Sequence, residues 1–143
     1  FHNRNLNIWK AVMDSVTSAG FHLTNVTYQE QAVASGTQGI NRNNTLRGDF
    51  VYNFFKDTKK KAPEKTYNQK DSKKEIVKRV QSWIKGNDGS LSSDSLYEKL
   101  IPYIVEKNLY TDIDGQVMNI EDLLKQSFDY KQTRSQEYAW QEK

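Results

Sequence analysis

The stretch NLNIWKAVMDSVTSAGFHLTNVTY (residues 5–28), followed further on by GDFVYNFF (residues 48–55), decides the fold. Ile8, Trp9, Val12, Met13 and Val16 recur at the three- and four-residue spacing that lines up side chains on one face of a helix. Asn5 or Asn7 is available as its N-cap, and Gly20 as its terminator. Phe21 follows that glycine, and residues 21–28 have the Leu, Val, Thr and Tyr content of a strand. Residues 50–55 set apolar and aromatic side chains on both faces, the pattern of a strand held between two layers. The expectation is helix, strand, long loop, strand, with the two strands paired antiparallel.

The connection over residues 29–49 carries Gly36, Gly39 and Gly48 among Ser, Thr, Gln, Asn and Arg. Loops longer than about 12–15 residues are uncommon in compact domains unless they have a function or are disordered, so this loop is the first place to look for a site. Residues 57–71 hold Lys59, Lys60, Lys61 and Pro63 with few apolar groups, and read as a basic linker after a first unit spanning residues 1–56. Beyond it a mostly helical module is expected over residues 72–128. Ser72 to Glu75 reads as a capping box ahead of the stripe Ile76, Val77, Val80, Trp83 and Ile84. Ser93 is expected to cap a second helix with Leu96, Tyr97, Leu100, Ile101, Ile104 and Val105 inside, kinked at Pro102. Asp114 and Gly115 suggest a short hairpin turn, and Asn119 a cap for a last helix bearing Ile120, Leu123, Leu124 and Phe128. Three helices and a hairpin make a winged-helix-like arrangement one option, with residues 129–143 as a polar tail.

Composition limits the chemistry. The 143 residues contain no cysteine, which excludes disulfides and thiolate metal sites. Mean hydropathy is −0.88, and no apolar run approaches the roughly 20 residues needed to cross a bilayer, so a soluble cytoplasmic protein without membrane partners is expected. Charge is unevenly distributed: residues 1–55 carry 4 basic and 3 acidic groups, residues 56–85 carry 11 and 4, and residues 86–143 carry 6 and 11. A basic belt followed by an acidic end suits phosphate contact in the middle of the chain, although a solvated linker has the same composition.

Triad catalysis needs a histidine between a nucleophile and an orienting acid, and His2 and His22 sit in no such pattern. The glycines form no phosphate-binding fingerprint between strand and helix. Asp112, Asp114, Gly115 and Glu121 match a calcium loop only in part, since its first ligand position is Tyr110. No catalytic, metal or cofactor-binding residue is therefore assigned within the chain.

The order Phe1-His2-Asn3-Arg4, the Trp9 helix, Ser18-Ala19-Gly20-Phe21, the polar loop and Gly48-Asp49-Phe50-Val51-Tyr52-Asn53-Phe54 resembles the final stretch of the catalytic domain of bacterial adenine-specific DNA methyltransferases. The resemblance covers residues 1–56. It implies an α/β class overall (α+β within this chain): the end of a Rossmann-like sheet, with a helix and an antiparallel hairpin as its sixth and seventh strands. It also implies S-adenosylmethionine as cofactor of an intact parent, DNA as partner and a restriction-modification setting. The family's Asp/Asn-Pro-Pro-Tyr/Phe tetrapeptide and glycine-rich cofactor site have no counterpart here, because Pro63 and Pro102 are isolated. The chain is accordingly expected to be the C-terminal portion of a larger bacterial protein, inactive alone and docked on the rest of the methyltransferase.

In that family the hairpin loop lies at the rim of the base pocket. The resemblance carries this role to Thr37, Gln38, Asn41, Arg42, Asn43, Asn44 and Arg47, which supply the donors and positive charge that a flipped nucleotide and its backbone require. For the distal module, Lys73, Lys74, Lys78, Arg79 and Lys85 are candidate phosphate contacts on one helix. The alternative is a protein-interaction or oligomerisation module, with a homo-oligomer as one outcome and Tyr97, Tyr103, Tyr110 and Trp140 as aromatic anchors.

Overall fold

The computed structural model describes residues 5–30, 48–56, 71–133 and 138–143. It is a mixed α+β structure. The first helix, α1 (Leu6–Ser18), begins where the Asn5 side chain accepts the Asn7 N–H at 2.9 Å and ends before Gly20, whose φ of +85° no side chain would favour. Its buried face is narrower than the sequence stripe. Leu6, Trp9 and Met13 are buried, whereas Ile8 and Val12 face solvent.

Strands β1 (Phe21–Glu30) and β2 (Gly48–Lys56) pair antiparallel from Phe21 opposite Lys56 to Glu30 opposite Gly48, with a bulge between Leu23 and Asn25. One face of this two-stranded sheet is covered. The Phe50 and Tyr52 rings meet the Trp9 ring at centroid distances of 5.5 and 4.8 Å, and Val26 lies beside them in the core. The opposite face carries His22, Asn25, Thr27, Val51, Asn53 and Phe55 and is open, so the expected burial of the second strand on both faces does not hold within this chain.

Helix α2 (Ser72–Lys85) buries Ile76, Val80 and Ile84. Its cap is Asp71 rather than Ser72, because the Asp71 carboxylate reaches the Lys74 N–H at 3.2 Å while Ser72 turns inward. The same one-residue shift occurs at α3 (Ser93–Lys107): Ser92 caps it by accepting the Ser95 N–H at 3.3 Å, which leaves Ser93 in the interior. Helix α3 runs through Pro102, buries all six apolar residues of its stripe, and ends at Asn108 in the left-handed region. A single bridge joins Thr111 to Val117 around the Asp112–Gly115 turn, and α4 (Ile120–Ser127) starts on the Asn119 side chain.

The described residues of the segment expected as a polar tail, 129–133 and 138–143, contribute two strands to a sheet. Strands β4 (Phe128–Gln132) and β5 (Tyr138–Glu142) join β3 (Ser90–Ser92) in an antiparallel sheet of order β3-β5-β4. Trp140, Tyr130 and Leu91 lie side by side in register across it, and Trp140 is fully buried. One contiguous core joins the segments on either side of residues 57–70: Trp9, Met13 and Phe50 belong to the same cluster as Ile76, Ile101, Leu124 and Trp140. The Val26 N–H also donates to Glu106 Oε1 of α3 at 3.2 Å. No helix among the described residues is long and apolar enough to cross a membrane.

Candidate nucleic-acid interface

The rim residues Thr37, Gln38, Asn41, Arg42, Asn43, Asn44 and Arg47 lie outside the described residues. What is described is the base from which their loop leaves. Gln29 pairs with Asp49 and Glu30 with Gly48, and a Cβ at Gly48 would collide with the backbone carbonyl of Gln29 and the Tyr28 ring. The two strands therefore approach closely where the loop begins and ends, and glycine is what permits it.

The five cations expected on α2 are separated by their surroundings. Lys73 is paired with Asp112 at 3.2 Å, Lys74 with Asp71 at 3.1 Å and Lys85 with Glu142 at 3.4 Å. Each of the three lysines thus has a carboxylate within ion-pair distance, while its own side chain stays at least half exposed. Lys78 is exposed, and Arg79 holds its guanidinium 5.1 Å from the Tyr103 ring centroid. Lys107 approaches the same ring at 5.9 Å, the Tyr103 hydroxyl donates to Glu75 Oε1 at 2.9 Å, and the Trp83 ring meets Tyr103 edge-on at 5.8 Å. Lys107 and Lys99 were not among the sequence candidates. The signal was present in the spacing of Lys99, Tyr103 and Lys107, which repeats every four residues along one side of α3.

Around α4 the balance reverses. Glu121 and Asp122 occupy its first turn, where they favour the positive end of the helix dipole, and Lys125 is bound to Glu121 at 2.8 Å. That contact, a side-chain hydrogen bond first and charge attraction second, raises the Lys125 pKa. The Asp112 carboxylate accepts the N–H groups of Gln116 and Asp114 at 2.9 and 3.0 Å. The Gln116 bond is the largest cause of its lowered pKa, and the Lys73 ammonium adds to it. The residues of the partial calcium pattern are thus engaged in a turn and a helix cap. No group of three or more His, Asp or Glu side chains among the described residues is placed to hold a metal.

Of the four proposed aromatic anchors, Tyr97, Tyr110 and Trp140 are buried in the core and offer nothing to a partner; only Tyr103 is partly exposed. Large aromatic side chains at helical spacing are core before they are interface, because each buries so much apolar area. His22 stacks on Phe55 at 5.2 Å on the outer face of the hairpin. Comparison with protein-family models, curated proteins and solved structures found no match to this chain.

Proposed function

We propose that the chain is the C-terminal part of an S-adenosylmethionine-dependent DNA adenine N6-methyltransferase, contributing a substrate-rim hairpin loop and an auxiliary module, and inactive without the catalytic sheet. The observation that carries this reading is the asymmetry of the β1–β2 pair. Its inner face rests on α1, while Val51 and Phe55 on the outer face, with Ile8 and Val12 on α1, remain exposed. Apolar groups of this size left on a strand pair and its covering helix are what the closing edge of a larger sheet would present. The seventeen-residue connection between β1 and β2 also agrees with a loop kept long for binding.

The distal module supports a winged-helix-like reading at the level of topology. Its order is α2, β3, α3, α4, β4, β5, with β3 and β4 flanking β5. In helix-turn-helix docking the second helix of the pair enters the major groove N-terminus first. Here that helix is α4, where Asp122 would meet phosphates with like charge and Glu121 is paired with Lys125. This charge distribution favours, as a second reading for residues 72–143, a module that contacts protein through α4 rather than DNA.

The test is the complete gene product, incubated with duplex DNA and S-adenosylmethionine, with N6-methyladenine measured by mass spectrometry. Methylation is expected, and Arg42→Ala with Arg47→Ala is expected to weaken DNA binding or turnover. A complete product that binds the cofactor yet leaves every adenine unmodified across varied DNA sequences refutes the reading.

A further inference from the structure

We infer that the seam between α2 and α3, built around Tyr103, is a binding surface for the phosphodiester backbone of DNA. The choice of DNA over an acidic peptide rests on the methyltransferase reading; the surface itself rests on how the cations are distributed. Lys10, Lys73, Lys74, Lys85, Lys125 and Lys131 each sit within ion-pair distance of a carboxylate. Arg79, Lys99 and Lys107 have no carboxylate partner among the described residues, and all three are exposed along the seam, with Lys78 beside Arg79.

The carboxylates nearby keep their negative charge, and each is held by another contact or stands aside from the three cations. Glu75 accepts the Tyr103 hydroxyl and Glu106 accepts the Val26 N–H. Glu98 is exposed and stands about 100° around α3 from Lys99.

Tyr103 organises the surface. Its hydroxyl is tied to Glu75 and its edge rests against Trp83, so the ring that draws in Arg79 and Lys107 is fixed from two sides. A guanidinium held near an aromatic ring has lost much of its rotamer freedom but keeps N–H donors for the paired oxygens of a phosphate. Lys99 and Lys107 are eight residues apart on α3, about 12 Å at the helical rise, far enough for the two ammonium groups to reach different phosphates of one duplex. α4 cannot share this task because its exposed first turn is acidic.

The experiment titrates the 143-residue chain into a labelled 20-base-pair duplex, followed by anisotropy at a series of salt concentrations, for the wild type and an Arg79→Gln, Lys99→Gln, Lys107→Gln variant. Loss of three phosphate contacts is expected to reduce the slope of log affinity against log salt by about 2.7, with Lys10→Gln, Lys131→Gln as a control that leaves it unchanged. Should the triple variant melt at lower temperature by circular dichroism, Lys99→Gln and Lys107→Gln are read singly, each expected to reduce the slope by about 0.9. The inference is overturned by a wild type that does not bind at low salt, by an unchanged slope in these variants, or by poly-glutamate of equal charge binding more tightly than the duplex. Methylation by the complete gene product, assayed in parallel, separates the two proposals: methylation with no slope change removes the seam alone, and a slope change without methylation removes the methyltransferase alone.

Discussion

Trp140 and Ser93 meet in the core, where the indole Nε1–H donates to the Ser93 Oγ at 3.0 Å and ties the last strand to the first turn of α3. The bond explains why a serine sits in the interior: it satisfies the single donor of a fully buried indole. Trp140→Ala is expected to cost about 3–5 kcal/mol through the cavity it leaves. Ser93→Ala is expected to cost about 1–3 kcal/mol by leaving the indole N–H unpaired. The Trp140→Phe, Ser93→Ala double variant should be more stable than the sum of its single variants implies, by about 0.5–3 kcal/mol. Urea denaturation of the wild type, Trp140→Phe, Ser93→Ala and the double variant measures this, and strict additivity would mean the bond contributes nothing.

The Trp140 result also marks where the sequence stopped being readable. Residues 129–143 have the composition of a tail, yet β4 and β5 form because Tyr130, Trp140 and Leu91 can share one face across three strands. That pairing brings residues 90–92 next to residues 139–141, and no local pattern encodes a partner about fifty positions away. By contrast, α1 to α4 were legible from spacing, with errors of one residue at the caps of α2 and α3 and with Phe128, expected on the last helix, instead opening β4. There Asp71 and Ser92 outcompete the serines that follow them, because those serines are drawn inward. The α2 cations were legible as residue types but not as a site. Whether a lysine is free depends on carboxylates such as Asp112 and Glu142, which only the fold brings near.

Gly48 is the tightest point of the hairpin. Substitution by alanine places a methyl group against the carbonyl of Gln29, a backbone atom that cannot swing away. Gly48→Ala is expected to destabilise the chain by about 1–3 kcal/mol and to loosen the β1–β2 pair first. Hydrogen exchange should show faster amide exchange in residues 26–30 and 48–52 than in α3; equal protection in variant and wild type would contradict it.

The hydroxyls of Tyr52, a half-buried residue, and of Tyr110, a buried one, lie out of solvent with no hydrogen-bond partner among the described residues. Burial raises both pKa values well above the ordinary tyrosine range; the neighbouring Tyr110 adds to the effect on Tyr52, and Asp14 to that on Tyr110. The unfolded chain ionises at about pH 10, while the folded hydroxyls hold their protons, so stability falls as pH rises above that value. Tyr110→Phe is expected to leave stability at pH 7 unchanged or higher and to flatten its decline between pH 10 and 11. An alkaline decline of unchanged slope in the variant would show that Tyr110 contributes nothing to it.

The acid limb has different owners. The Asp71 pKa is lowered by the Lys74 side chain and then by the Lys74 N–H, and that of Asp112 chiefly by the Gln116 N–H. Each folded pKa lies below the unfolded carboxylate value, so the stabilisation is fully present above about pH 4 and is lost as pH falls through the lower folded values. Asp71→Asn and Asp112→Asn together are expected to shallow the loss of stability between pH 4 and 2, measured by urea midpoints at each pH. An acid limb of unchanged slope would place its origin in other carboxylates.

The open face of the hairpin separates the chain's own stability from its proposed setting. Val51 and Phe55 are 42% and 48% exposed, so Val51→Lys with Phe55→Lys removes little buried area and should change the unfolding free energy of this chain by less than about 1 kcal/mol. In the proposed parent the same face would rest against further structure of the catalytic unit. Two lysine ammonium groups buried there would lie opposite Thr27 and His22, neither of which supplies a negative charge. The complete gene product carrying both substitutions is therefore expected to be insoluble or inactive, while the chain alone melts as before. A complete product that tolerates both lysines with full methylation would mean this face is solvent-exposed in the parent as well, and the asymmetry of the strand pair would no longer argue for a missing layer.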